Sequence, residues 1–144
     1  MAEAPKELAN LWRIGKLAVE PGTCSEFAGL LTSGKERLDD ARNESLALSS
    51  RFDLAYNAAH SFALAALRWH GYRSESRYLV FQALPHTLGS PATVWRVLAK
   101  AHEVRNAGEY EGRFEVDATL LRNLVDAAEL VRAATSELPA LPER

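Results

Sequence analysis

Residues 50–76 read "SRFDLAYNAAHSFALAALRWHGYRSES", and this stretch decides the fold class. Its small and aromatic apolar residues recur at steps of three and four, the spacing that places side chains on one face of an α-helix. This apolar stripe comprises Phe52, Ala55, Tyr56, Ala59, Ala63, Ala66 and Leu67. We therefore expect a long helix over residues 45–70 that ends at Gly71, because glycine readily adopts the left-handed conformation of a helix stop.

A helical period recurs along most of the remaining chain, and no segment keeps the alternation of a half-buried strand for more than a few residues. Helices are expected over residues 6–17, after an N-cap at Thr23 or Ser25, before Pro85, after Ser90-Pro91 and after Asp117. Long helices joined by short loops predict an all-α fold, an antiparallel up-and-down bundle of four main helices plus short additional helices.

The chain length of 144 residues predicts one domain over residues 1–144. Residues 1–20 hold the expected N-terminal helix, and residues 139–144 read as a loose tail.

The charge balance argues against tight non-specific binding of nucleic acid. The chain has 17 Lys+Arg, 19 Asp+Glu and a formal net charge of −2, so it has no overall basic field, although a local basic patch stays open. Its single cysteine, Cys24, cannot form an internal disulfide, and its four histidines are not spaced as metal ligands, so we expect no metal or cofactor. We find no secretory signal and no apolar run long enough for a membrane helix, and therefore expect a cytoplasmic protein with no membrane partner.

Three polar residues form one row beside the apolar stripe. Asp53, Asn57 and His60 are separated by steps of four and three, so they share one side of the expected helix. Two interpretations are open. The three side chains either face solvent or form hydrogen bonds to another helix, or they belong to a functional site.

Residues 102–112 read "HEVRNAGEYEG" and place an arginine near the end of a helix. At about 100° per residue, Arg105 lies within about 20° of the apolar Val94 around the helix axis, on the buried face. A buried guanidinium is costly unless it is paired. Three roles compete: capping of the last helical carbonyls, an ion pair with Glu109 or Asp53, and binding of an anion such as an RNA phosphate.

Two further features are candidates for chemistry. His102 has a reference pKa near neutrality and could transfer protons, although a lone histidine on a helix is more often a packed or surface residue. The stretch "LRWHGYRSESRY", residues 67–78, mixes arginines and aromatic residues. That mixture is typical either of a surface for single-stranded nucleic acid or of an amphipathic helix end. Its members are Arg68, Arg73, Arg77, Trp69, Tyr72 and Tyr78.

Three segments together resemble a known family. They are the stretch over residues 50–76, "VRNAGEYEG" at residues 104–112 and "DATLLRNLVDAAELVRAA" at residues 117–134. This arrangement resembles HEPN domains, and among them small bacterial proteins with an Arg-x-x-x-acid-Tyr motif. The likeness covers roughly residues 45–138.

The resemblance implies a helical up-and-down bundle that commonly forms a homodimer, with the motif near the dimer cleft. Many HEPN proteins are metal-independent ribonucleases, often toxins paired with a nucleotidyltransferase-type or other antitoxin. Their motif is an arginine, often followed directly by asparagine, with a histidine four to six residues after the arginine. Arg105 and Asn106 match this motif, whereas Tyr110 stands where the histidine is expected.

A tyrosine, with a reference pKa near 10, is a poor general base at neutral pH. The resemblance therefore implies a dimeric binding or accessory component of a bacterial two-component toxin–antitoxin or defence system. The ligand that the resemblance implies is RNA, a nucleotide or a partner protein, bound through Arg105. The implied motif and ligand residues are Arg105, Asn106, Glu109, Tyr110, Asp53, Asn57 and His60.

Two alternatives remain. The first is a metal-independent ribonuclease toxin, in which Arg105 acts with Tyr110, His60 or His102 as a non-standard base. The second is a structural partner subunit, in which Arg105 serves only as an internal tie.

Overall fold

The computed structural model describes residues 5–111 and 115–141, with the backbone alone for residues 109–111. The described residues form seven α-helices and one pair of short strands, which confirms the all-α prediction. In chain order these are α1 (Lys6–Arg13), β1 (Ala18–Val19), α2 (Cys24–Ala41), α3 (Leu48–Trp69), β2 (Tyr72–Arg73), α4 (Arg77–Gln82), α5 (Leu84–Thr87), α6 (Ala92–Glu111) and α7 (Ala118–Ser136). Within these described ranges, no helix combines the length and the apolar character needed to cross a membrane.

Helix α3 is the centre of the bundle, and every residue of its predicted apolar stripe is fully buried. Helices α2 and α7 pack most extensively against it. Arg51, in the first turn of α3, donates from Nε to the carbonyl of Ala41 at the end of α2, at 2.8 Å. Arg68, in the last turn, pairs with Glu26 near the start of α2. The two helices therefore run antiparallel.

Helix α6 runs antiparallel to α3 in the same way. Asp53 on α3 pairs with Arg105 on α6, and Tyr56, one turn further along α3, pairs with His102, one turn earlier on α6. Helix α7 closes the bundle by packing on α3, α6 and α2. The short helices α4 and α5 lie between α3 and α6 in sequence and pack against both.

Several predicted helix ends are confirmed. The Thr23 hydroxyl accepts from Glu26 N–H at 3.1 Å at the start of α2, and the Asp117 carboxylate accepts from Leu120 N–H at 2.6 Å at the start of α7. Gly71 follows α3 with a φ of +85°, as expected for a left-handed stop. The apolar segment before Ser90 breaks between α4 and α5, just before the predicted breaker Pro85.

Two boundaries differ from the prediction. The first helix ends at Arg13, because Gly15 adopts a φ of +78° and the chain then enters β1, which pairs antiparallel with β2. Helix α3 begins at Leu48 and not at residue 45, since the Asn43 side chain accepts from both the N–H and the hydroxyl of Ser45 and holds a turn there.

Arg68 fixes the end of α3 to the start of α2. It is only 5% exposed, and its guanidinium pairs with the carboxylates of Glu26 at 2.6 Å and Glu20 at 3.3 Å. It also donates to the carbonyls of Glu20, Pro21 and Tyr72. Such complete pairing is what a buried arginine requires, and Arg68 is therefore part of the internal structure.

The segment predicted as a tail begins in contact with the bundle. The indole Nε1 of Trp69 donates to the carbonyl of Pro139 at 2.8 Å. Residues 142–144 lie outside the described residues.

Replacing Gly34 with alanine should lower the free energy of unfolding. An added Cβ would lie 2.5 Å from Cε1 of Phe62, whose side chain is fully buried and has little room to move. Overpacking of this kind costs about 1–3 kcal/mol, against a gain of about 1 kcal/mol in helix propensity. We expect a net loss of up to about 2 kcal/mol in urea-induced unfolding.

Gly29, on the same helix, is the matched control. It is exposed, and an added Cβ would have no neighbour within 4 Å. Gly29→Ala should stabilise the protein by about 1 kcal/mol through helix propensity alone. Equal stabilisation by both substitutions would contradict the close approach of α2 to α3.

Candidate anion-binding site

The site is built around Tyr56, whose side chain is fully buried on α3. Its hydroxyl is 2.8 Å from Nδ1 of His102 on α6, and its ring meets Phe81 of α4 edge to face at 5.7 Å. A buried hydroxyl without a hydrogen bond is destabilising, so the His102 contact stabilises the buried ring. One side chain thereby links α3, α4 and α6.

Two guanidinium groups lie over the Tyr56 ring. The Cζ of Arg105, from α6, is 4.9 Å from the ring centroid, and the Cζ of Arg77, from α4, is 5.5 Å from it. Both distances are within the range of about 6 Å in which a cation is attracted to an aromatic face. Two like charges near one ring repel each other, and an anion bound near both would relieve that repulsion.

The polar row predicted on α3 positions both arginines. Asp53 Oδ1 accepts from Arg105 Nε at 3.3 Å, and Asn57 Oδ1 accepts from Arg77 Nη1 at 2.9 Å. Asn57 in turn donates from Nδ2 to the backbone carbonyl of Asp53 at 2.8 Å. The ion pair between Arg105 and Asp53 was one of the alternatives open from the sequence. The Arg105 side chain is 24% exposed, so it lies at the edge of the core and not within it.

His102 is held at both ring nitrogens. Its Nδ1 faces the Tyr56 hydroxyl, and its Nε2 is 3.1 Å from Nδ2 of Asn106, one turn along α6. The ring stacks on Tyr56 at 6.2 Å with an interplanar angle of 25°. Asn106 of the motif therefore contributes by orienting His102.

His60 lies on the same side of α3 and meets Phe81 edge to face at 6.0 Å. Burial, together with the positive charges of Arg77 and Arg105, lowers the pKa of His60 from 6.5 to about 4. Its imidazole is therefore neutral at pH 7. Among the described residues neither ring nitrogen of His60 has a hydrogen-bond partner, so the ring can accept a hydrogen bond from a ligand.

Five of the predicted site residues meet here: Asp53, Asn57, His60, Arg105 and Asn106. Glu109 and Tyr110 belong to the α6 backbone, but their side chains lie outside the described residues. The sequence interpretation counted Tyr56 only as a core residue and did not assign Arg77 to this site. The sequence feature that could have indicated a role for Arg77 in this site is its position in the aromatic and basic stretch over residues 67–78.

Most other residues of that stretch lie elsewhere, so of the two alternatives open from the sequence the stretch as a whole matches an amphipathic helix end. Arg68 is buried among carboxylates and carbonyls, and Trp69 binds Pro139. Arg73 is half-exposed and lies 3.7 Å from Glu20. Arg77 and its neighbour Tyr78, by contrast, contact Tyr56 and His102 respectively.

Within the described ranges, no group of three or more histidine, cysteine, aspartate or glutamate residues is arranged to hold a metal ion. Comparison of the chain with protein-family models, curated proteins and solved structures finds no match. The resemblance to HEPN domains therefore rests on the sequence motifs alone.

The low pKa of His60 predicts a specific dependence of stability on pH. The ordinary pKa is 6.5, so between about pH 6.5 and pH 4 the unfolded chain binds a proton at this residue that the folded chain does not. The contribution of His60 to stability is therefore complete above about pH 6.5 and is lost as the pH falls towards 4. His60→Gln should make the free energy of unfolding less dependent on pH in this window.

An NMR titration of the histidine ring protons measures the pKa directly. We expect the His60 signal to titrate near pH 4 and its pKa to rise in Arg77→Met, because that substitution removes a nearby positive charge. Titration of wild-type His60 near pH 6.5 would contradict the buried, cation-flanked environment.

Proposed function

We propose that this protein is a HEPN-like binding or accessory component that binds the phosphate group of RNA or of a nucleotide through Arg105 and Arg77. The observation that carries the proposal is the convergence of two guanidinium groups, from different helices, over one buried tyrosine ring. The planar fork of each guanidinium matches the geometry of phosphate oxygens.

The hydrogen bonds of Arg77 support this proposal. Its Nη1 donates to Asn57, whereas among the described residues Nε and Nη2 make no hydrogen bond. A guanidinium carries five N–H donors, so Arg77 retains several for a ligand. Because Asn57 fixes the orientation of the side chain, binding would cost little further conformational entropy.

Asp53 supports it in a second way. Its carboxylate is half-exposed and lies 3.3 Å from Arg105 Nε. A carboxylate and a phosphate use the same geometry on an arginine. We therefore interpret Asp53 as the group that holds Arg105 in the absence of a ligand and competes with an incoming phosphate.

The resemblance supplies the remainder of the proposal. It includes a homodimer with the motif near the dimer cleft, a nucleotidyltransferase-type or other antitoxin partner, and a role in a bacterial two-component system. The phosphate-binding proposal does not depend on these features.

Arg105→Ala and Arg77→Ala should each weaken binding of a fluorescently labelled RNA by about 10- to 100-fold, the effect of losing a hydrogen bond to a charged group. Fluorescence anisotropy at fixed salt measures the affinity. Arg96→Ala is the matched control, since Arg96 is exposed on the same helix and lies two and a half turns away, on the opposite side. Equal losses for Arg96 and Arg105 would show non-specific attraction and overturn the site.

Asp53→Asn should have the opposite effect and tighten RNA binding several-fold, because it removes the competing negative charge while keeping the size of the side chain. The melting temperature of each variant separates binding from folding. If Arg105→Ala only lowers the melting temperature and the wild type binds no RNA, Arg105 is an internal tie and the phosphate-binding proposal fails.

A second candidate function is cleavage of RNA, for which His60, near the two cations, is the candidate base. In this reaction His60 would accept the proton of a ribose 2′-hydroxyl, whose oxygen attacks the adjacent phosphorus. The bond to the 5′-oxygen breaks, which leaves a 2′,3′-cyclic phosphate, and the leaving oxygen takes a proton from water. Arg77 and Arg105 would stabilise the charge that develops on the phosphate.

An RNA cleavage assay in the presence of EDTA distinguishes the two functions. The binding proposal predicts no cleavage above that of Arg105→Ala. Cleavage that is abolished by both Arg105→Ala and His60→Gln, with cyclic phosphate ends, would replace the binding proposal by the ribonuclease function.

A further inference from the structure

Tyr78 connects the arginine pair to a groove on the surface. Its ring is 5.9 Å from the His102 ring and 6.3 Å from the Trp95 ring, which it meets nearly at right angles. His102 in turn stacks on Tyr56, which lies under Arg77 and Arg105. A row of contacting aromatic rings therefore runs from the buried Tyr56 to the surface, where Tyr78 is 40% exposed.

The groove has a volume of about 380 Å³, which is within the usual size of a small-ligand site. It is lined by Leu11, Ile14, Gly15, Lys16, Ser76, Tyr78, Leu79 and Gln82. Apolar walls suit the faces of a planar ring, and the side chains of Lys16, Ser76 and Gln82 offer hydrogen-bonding groups for its edge. Tyr78 is common to this groove and to the rings that lead to the arginines.

We propose that Tyr78 is a stacking platform for an unpaired nucleobase, which occupies this groove while the adjoining phosphate is bound by Arg77 and Arg105. The inference rests on the proposed phosphate-binding function and narrows its ligand to a nucleotide with an exposed base, either free or within a single strand. Arg77 and Tyr78 are consecutive, so the phosphate-binding cation and the stacking ring leave the same turn of α4, about 100° apart around the helix axis.

Charge and local structure support a nucleobase, with its phosphate, as the ligand of this groove. An aromatic face next to cations is the combination that binds a base together with its phosphate, because stacking and charge attraction act on neighbouring parts of one ligand. The edge-to-face contact with Trp95 holds the Tyr78 ring in place, and Ser76, which accepts from Leu79 N–H at 3.2 Å, caps α4 just before it. The platform is thus formed before the ligand arrives, which lowers the entropic cost of binding.

The experiment compares affinities for a short single-stranded RNA, the same sequence as a duplex, uridine monophosphate and ribose 5-phosphate. Tyr78→Ala should weaken binding of the single strand by roughly 5- to 100-fold, the range for loss of one base–aromatic stack. Tyr78→Phe should retain most of the affinity, because stacking does not need the hydroxyl. Trp12→Ala, an exposed aromatic residue outside the groove, should bind as the wild type does.

Competition on the wild-type protein gives a test that does not depend on the folding of a variant. Uridine monophosphate should displace the labelled strand at a lower concentration than ribose 5-phosphate, which carries the phosphate without the base. Equal competition by the two, or equal binding of duplex and single strand, would overturn the stacking platform. So would wild-type affinity in a folded Tyr78→Ala protein.

The same measurements separate this inference from the proposed function. If Arg105→Ala weakens binding but Tyr78→Ala does not, phosphate binding stands and the stacking platform fails. If none of the four probes binds the wild type, both fail.

Discussion

The hydroxyl of Tyr56 is buried between three helices, and a buried hydroxyl must be hydrogen-bonded or it destabilises the fold. Its contact with His102 satisfies that requirement and fixes α6 against α3 at the site. The face of the same ring attracts the guanidinium groups of Arg77 and Arg105. One side chain thus brings two cations from different helices to within 5.5 Å of one ring centroid, and the proposed chemistry depends on that placement.

Burial of Tyr56 depends in turn on the small residues of α3. Ala55, Ala59 and Ala63 are fully buried and allow neighbouring helices to approach closely, as Gly34 of α2 does beneath Phe62. A closely packed helix holds its polar side chains in narrow ranges of position. The cations are therefore oriented before a ligand arrives, which is the condition under which a few hydrogen bonds yield useful affinity.

The sequence alone could predict the elements whose signal is local. The three- and four-residue period of α3 predicts both its buried stripe and the polar row of Asp53 and Asn57, and cap residues such as Asp117 mark helix starts. Arg77 could not be assigned in this way, because its position over Tyr56 depends on how α4 folds back onto α3. The low pKa of His60 likewise depends on burial and on charges from two other helices. Short β-pairing at Ala18–Val19 is equally a product of tertiary contact.

The central claim is that Arg77 and Arg105 form one phosphate-binding site, and NMR of the arginine Nε–H groups tests it most directly. When a short single-stranded RNA is added to ¹⁵N-labelled protein, the signals of Arg77 and Arg105 should shift together, with one common dissociation constant. The signal of Arg68, whose Nε is paired with Glu26 at 2.6 Å, should stay in place. Saturating RNA that moves neither Arg77 nor Arg105 would contradict the account.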